Sequence, residues 1–161
     1  MLAIALALQL TAAANIPTVL VFTSTECPIS NRYAPEINRL NVKFSGKVRF
    51  VMVYPVPADT GAMVRAHVKK FGYPNQWLHD PGQKLVRETG VTVTPEVAVM
   101  SVDRKVLYRG RIDDRYLEFG KDRPEPTVRD LERSLDAILS GKPIPVVETK
   151  AIGCYIADLI K

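Results

Sequence analysis

The side chains with chemistry to offer are few: two cysteines, Cys27 and Cys154, and two histidines, His67 and His79. Cys27 follows the polar run Thr23-Ser24-Thr25-Glu26 and precedes Pro28, a residue whose fixed φ and missing N–H suit the first position of a helix. A thiol at a helix start faces unpaired N–H groups, which favour thiolate over thiol, and the thiolate is the nucleophile. Arg32, one turn on, adds to that field and Glu26 opposes it. Ser24 and Thr25 are placed to donate hydrogen bonds to the sulfur or to the oxygen of a bound peroxide; otherwise they satisfy backbone groups in the turn. The bland alternative for Cys27 is a buried small hydrophobe.

Cys154 lies in the tail Lys142–Lys161, which also carries Pro143 and Pro145. A helix over Thr127–Ser140 carries the chain roughly 20 Å. The extended segment Gly141–Gly153 spans up to roughly 40 Å, so length permits Cys154 to return to Cys27 as a resolving thiol. It equally permits a cysteine packed in the tail or pairing with another molecule. His67, among Arg65, Lys69 and Lys70, reads as solvated, and His79 as a surface residue beside Asp80. Cysteines and histidines this scattered have no metal-ligand spacing, and no metal or dissociable cofactor is expected.

The elements that must position these groups are legible from apolar periodicity. Val19–Phe22 is a β-branched, aromatic-ended run typical of a buried strand. Ile29, Tyr33, Ile37, Leu40 and Phe44 recur at helical spacing up to Gly46. Lys47–Tyr54 predicts a second strand. A helix capped by Asp59 or Thr60 then carries Met63, Val64, Val68 and Phe71, and Gly72 stops it. Gln76–Asp80 predicts a short strand, and Lys84–Thr89 a short helix ended by Gly90. Glu96–Val102 and Lys105–Arg111 predict a hairpin turning at Asp103-Arg104. The mixed-charge loop Ile112–Pro126 leads to an amphipathic helix, Thr127–Ser140, capped by Thr127, with Leu131, Leu135, Ile138 and Leu139 as its apolar stripe. The order β-α-β-α-β-α-β-β-α implies an α/β fold: a central mixed sheet, parallel first, ending in an antiparallel hairpin, with helices on both faces.

At 161 residues the chain suits one core. Its +5 net charge is interleaved with acids rather than gathered into a stripe with aromatics, which argues against nucleic-acid binding. Residues 1–14, an apolar run ending Ala12-Ala13-Ala14, read as a secretory signal without a basic start, too short to span a membrane stably. An N-terminal helix packed on the domain is the alternative. A signal implies export to the periplasm or cell exterior, where disulfides persist. The division is then 1–14 signal, 15–141 domain, and 142–161 an extended tail.

With these elements in place, the chain resembles the thioredoxin-like superfamily. The resemblance rests on Cys27 between a strand and a helix, Pro35 inside that helix, and Thr94-Pro95 just before a strand. It is nearest the peroxiredoxin-like group (alkyl hydroperoxide reductase/thiol-specific antioxidant, or redoxin). The segments FTSTECPIS, HDPGQKLVRETGVTVTPEVAVM and VLYRGRID carry the likeness, which spans about Pro17–Gly141. It implies that Cys27 attacks, that Ser24 is the family's hydroxyl residue, and that Pro95 is a cis-proline shaping the substrate surface beside Thr94, Pro28 and Ser30. The sequence departs from relatives in three respects. Ser30 stands where Cys-x-x-Cys proteins have a second cysteine, and Leu20 where peroxiredoxins have a proline. No motif fixes the activating arginine, for which Arg109 and Arg111 are the candidates.

The expected function is a thiol-dependent oxidoreductase reducing a peroxide or a protein disulfide through the Cys27 thiolate, with an external thiol as reductant. The rival is a non-catalytic module of the same fold that holds a partner protein or Cu(I).

Overall fold

The computed structural model describes residues 15–157; the expected signal, 1–14, lies outside them. The central sheet contains β1 (Thr18–Phe22), β2 (Arg49–Tyr54), β3 (Trp77–His79), β5 (Glu96–Met100) and β6 (Val106–Gly110), in the order β3-β2-β1-β5-β6. β1 pairs parallel with β2, and β2 parallel with β3. β5 runs antiparallel to β1, and β6 antiparallel to β5. This is the mixed sheet and terminal hairpin expected from the element order.

Strand alternation divides the core. Val19 and Val21 face one layer, where they meet Ile37 and Leu40 of α2 (Ala34–Lys43), Val64 and Val68 of α3 (Gly61–Phe71), and Leu131 and Leu135 of α5 (Asp130–Ser140). Leu20 and Phe22 face the other layer, covered by Leu85 and Val86 of the short helix α4 (Lys84–Thr89) and by Ile156 of the tail. Helices thus cover both faces, but unequally. Right-handed crossovers explain why: β1→β2 and β2→β3 step in the same direction, so α2 and α3 share a face. Leu135 is wholly buried, and its truncation to Ala costs about 2–5 kcal/mol.

Three local differences from the sequence reading have physical causes. The helix after Cys27 is two helices, α1 (Pro28–Arg32) and α2, which part at Tyr33. Pro35 lacks an N–H to continue the first ladder but fits the opening turn of the second. The last helix starts at Asp130, because Asp114 takes the Thr127 N–H, the Thr127 hydroxyl and the Val128 N–H. The loop Ile112–Pro126 contains a small hairpin, β7 (Tyr116–Glu118) with β8 (Lys121–Asp122), tied back by an Arg32–Asp122 ion pair of 2.9 Å.

Candidate active site

Cys27 is the N-cap of α1, delivered by β1 through the turn Thr23–Glu26. Its N–H donates to Ser24 O and its own carbonyl accepts from Asn31 N, so the turn and α1 both hold it. The sulfur is 3.1 Å from Thr94 O and 2.8 Å from the sulfur of Cys154. The Thr94–Pro95 peptide is cis. Both thiols are free.

Two attachments bring the tail to this place. Upstream, it runs along β6. Arg109 N donates to Val147 O and Thr149 N to Arg109 O, and the Thr149 hydroxyl meets Tyr108 OH and accepts from Arg111 N. Downstream, β9 (Cys154–Tyr155) pairs antiparallel with β4 (Val93–Thr94), in the register Thr94↔Cys154 and Val93↔Tyr155. Ile156 N then donates to Thr92 O, and Gln83 Nε2 to Ala157 O. Glu96 braces this edge from behind: it is 5 % exposed and accepts from Thr92 N and Val93 N. No motif marks Glu96; its only signal in the sequence is an acid directly after Pro95 at the start of an apolar strand.

The electrostatics separate the two sulfurs. Burial raises the Cys27 thiol, but the hydrogen-bonding influence of the Cys154 thiol, the Ser30 hydroxyl and N–H, and the Thr94 side chain outweighs it, leaving the thiol below its ordinary value. The Ser30 hydroxyl is buried with no hydrogen-bond partner among the described residues, the sulfur included, so it is available to turn to Cys27 when the thiol ionises. Cys154 is pushed up to about 12, first by burial and then by its bond to Cys27. Cys27 therefore ionises first while Cys154 keeps its proton and donates it across the pair.

The other expected site residues are engaged elsewhere. The Thr25 hydroxyl and N–H both go to Asp59, which is 1 % exposed, and Ser24 Oγ accepts from Glu26 N. These two residues build the turn, and Thr60 alone caps α3. Arg109 holds Gly90 O and Glu148, and Arg111 holds Asp130 at 2.7 Å, so both guanidiniums brace the tail and α5. Pro28 occupies the first turn of α1 as expected. His67 is not solvated: it is 6 % exposed, between Tyr54 OH at 2.9 Å and Asn31 Oδ1 at 2.7 Å. Its position three residues after Val64 put it on the apolar face, a signal that its basic neighbours masked. Among the described residues, no group of three or more His, Cys, Asp or Glu gathers that could hold a metal ion, and no helix is long and apolar enough to cross a membrane.

A cysteine between a central strand and a broken helix, facing a cis-proline loop, defines a thioredoxin-like protein. The Redoxin family model matches residues 6–121, and the chain belongs to that thiol–disulfide oxidoreductase-like family. Among solved structures it is similar to an uncharacterized conserved protein from Geobacillus kaustophilus, with 27% identity over 89% of this chain and 78% of that one, at a TM-score of 0.74. A hypothetical protein from Sinorhizobium meliloti 1021 is similar at 25% identity, over 92% and 82%, with a TM-score of 0.77. A thiol-disulfide oxidoreductase from Bacteroides fragilis shares the fold at 16% identity, over 59% and 72%, with a TM-score of 0.52. A comparison with curated proteins gives no match.

Proposed function

We propose that the protein is a two-cysteine redox enzyme in which Cys27 attacks an oxidant and Cys154 resolves the product. The observation that carries this reading is the 2.8 Å approach of the two sulfurs, made between residues 127 positions apart by a tail hydrogen-bonded at both ends of its path. With a peroxide, the Cys27 thiolate takes the terminal oxygen, becoming a sulfenic acid, and an alcohol or water leaves. The Cys154 sulfur then attacks the Cys27 sulfur, forming the Cys27–Cys154 disulfide and releasing water. With a disulfide, Cys27 forms a mixed disulfide, and Cys154 displaces the second thiol. Two equivalents of an external thiol restore both cysteines. Export, expected from residues 1–14, suits a pair that passes through a disulfide in each cycle.

The test is stopped-flow oxidation of the reduced protein, followed by mass mapping without reductant. Wild type is expected to outpace a free thiol and yield a Cys27–Cys154 bond; Cys27→Ser is expected to abolish the reaction, and Cys154→Ser to halt it at the Cys27 sulfenic acid or mixed disulfide. A wild-type rate equal to that of free cysteine sinks the proposal.

A further inference from the structure

Cys27 is 2 % exposed, in a core cluster against which Ile152 and Cys154 of its own tail pack. The backbone nearest its sulfur is the edge of β4, and that edge is taken. Thr92 O accepts from Ile156 N, and Thr94 lies in register with Cys154. Gly153 sits so close to this edge that a Cβ there would fall on the Thr94 carbonyl oxygen, within contact distance also of Pro95 N. A chain with any side chain at 153 cannot lie as this one does. Gln83 pins the strand beyond β9 through Ala157 O, and the Thr149 anchor on β6 holds the chain before it.

An extended polypeptide carrying a disulfide to Cys27 along β4 needs the same backbone groups and the same space. A small hydroperoxide needs only the line of approach to the sulfur, which a movement of the Cys154 side chain opens. Building on the two-cysteine cycle above, we infer that β9, with Gly153 as its fitting residue, is an internal strand that reserves Cys27 for low-molecular-weight hydroperoxides and denies it protein disulfides while docked. The permitted step is balanced within the cycle: the thiolate takes one peroxide oxygen, the O–O bond breaks, and the alkoxide or hydroxide leaves with a proton from solvent. The denied step is the mixed disulfide with a protein chain, for which β9 must leave.

The experiment follows thiol loss from the reduced full chain with hydrogen peroxide and, separately, with insulin as the protein disulfide. Three variants accompany wild type. Ile156→Pro removes the N–H that reaches Thr92 O, Gly153→Val forces the strand away from Thr94, and Cys154→Ser keeps the strand docked without its thiol. Each strand hydrogen bond holds the docked state by a modest margin, so removing one raises insulin reactivity by about two- to tenfold. Wild type and Cys154→Ser are expected to react with peroxide but with insulin only at the rate of a free thiol, and Ile156→Pro to gain insulin reactivity; Gly153→Val repeats the test by a different perturbation. Insulin reduced by wild type as fast as by Ile156→Pro, with peroxide reactivity intact, overturns the gate and leaves the two-cysteine cycle standing. Reaction of Cys27 with neither oxidant above the free-thiol rate overturns the cycle, and the gate with it.

Discussion

Thr94 and Cys154 are register partners in a two-residue antiparallel pair, and the Thr94 carbonyl also accepts from the Cys27 sulfur at 3.1 Å. One residue of the cis-proline loop thus locates both cysteines. In a Cys-x-x-Cys protein, a single helical turn fixes the spacing of the two sulfurs. Here a strand pairing fixes it, and the position that a second cysteine would occupy on the helix is Ser30, turned to another use.

That use is stabilisation of the thiolate. The Ser30 hydroxyl and N–H are among the groups that bring the Cys27 thiol below its ordinary value against the effect of burial. Ser30→Ala removes a hydroxyl available to the charged sulfur, so the Cys27 pKa is expected to rise. Thiolate absorbance against pH, recorded in a Cys154→Ser background so that one thiol titrates, measures it. An unshifted titration curve refutes this role for Ser30.

The tail's upstream anchor predicts a second effect. Gly110 has φ 144, and a Cβ on it would strike Thr149, whose hydroxyl also meets Tyr108 and Arg111. Gly110→Ala is expected to unseat residues 147–149 and so dilute Cys154 around Cys27. Disulfide formation in a glutathione buffer, scored by mass after acid quenching, is expected to fall by about tenfold or more relative to wild type. Equal disulfide yields in the two proteins would show that β9 alone positions Cys154.

Asp59 ties the loop after β2 to the turn that presents Cys27, accepting both the N–H and the hydroxyl of Thr25. Asp59→Ala leaves these donors with no carboxylate in a largely closed site, at a cost of about 2–4 kcal/mol, and loosens the turn. Urea melts are expected to show the loss, with slower Cys27 alkylation at a pH where wild type is ionised. Asp59→Asn, which keeps one acceptor, is expected to recover part of both. Full stability in Asp59→Ala is the contrary result.

Much of this arrangement was legible in the sequence because it is written in local periodicity. Val19–Phe22 could only be a buried strand, and Cys27-Pro28 a helix start; Gly72, Gly90 and Gly141 stop helices with a positive φ. What was hidden depends on contacts distant in the chain. Nothing near residue 154 announces that its partner is Thr94, and nothing near Thr127 announces that Asp114 will bind it and delay the helix to Asp130. Local sequence leaves open whether Ser24 and Thr25 serve the sulfur or the turn, because Asp59, which binds Thr25, lies 34 residues away. Chain length allowed Cys154 to return to Cys27; the hydrogen bonds of residues 147–157 are what select that path.

His67 offers the last prediction, because its burial reverses the pH response that its basic neighbours suggest. Tyr54 OH donates to Nδ1 while Nε2–H donates to Asn31 Oδ1, a pattern that fits the neutral ring. Burial lowers its pKa, Lys70 adds to this, and the Asp59 and Glu26 carboxylates oppose it without reversing the sign. Because the folded value lies below the unfolded value of about 6.5, the unfolded chain takes up the proton first as pH falls. The stability due to the neutral ring is therefore complete above about pH 6.5 and is lost progressively as pH drops toward the folded pKa, by at most about 1.4 kcal/mol per pH unit. Urea melts at pH 7 and pH 5 are expected to show this loss in wild type. His67→Gln is expected to be less stable at pH 7, through its imperfect fit between Tyr54 and Asn31, but to change less between the two pH values. Since Asn31 lies one turn beyond Cys27 on α1, the same acidification is expected to loosen the helix that holds the nucleophile, seen as faster amide exchange over residues 28–32 at pH 5 in wild type but not in His67→Gln. Parallel pH slopes in the two proteins would assign the acid sensitivity to other groups.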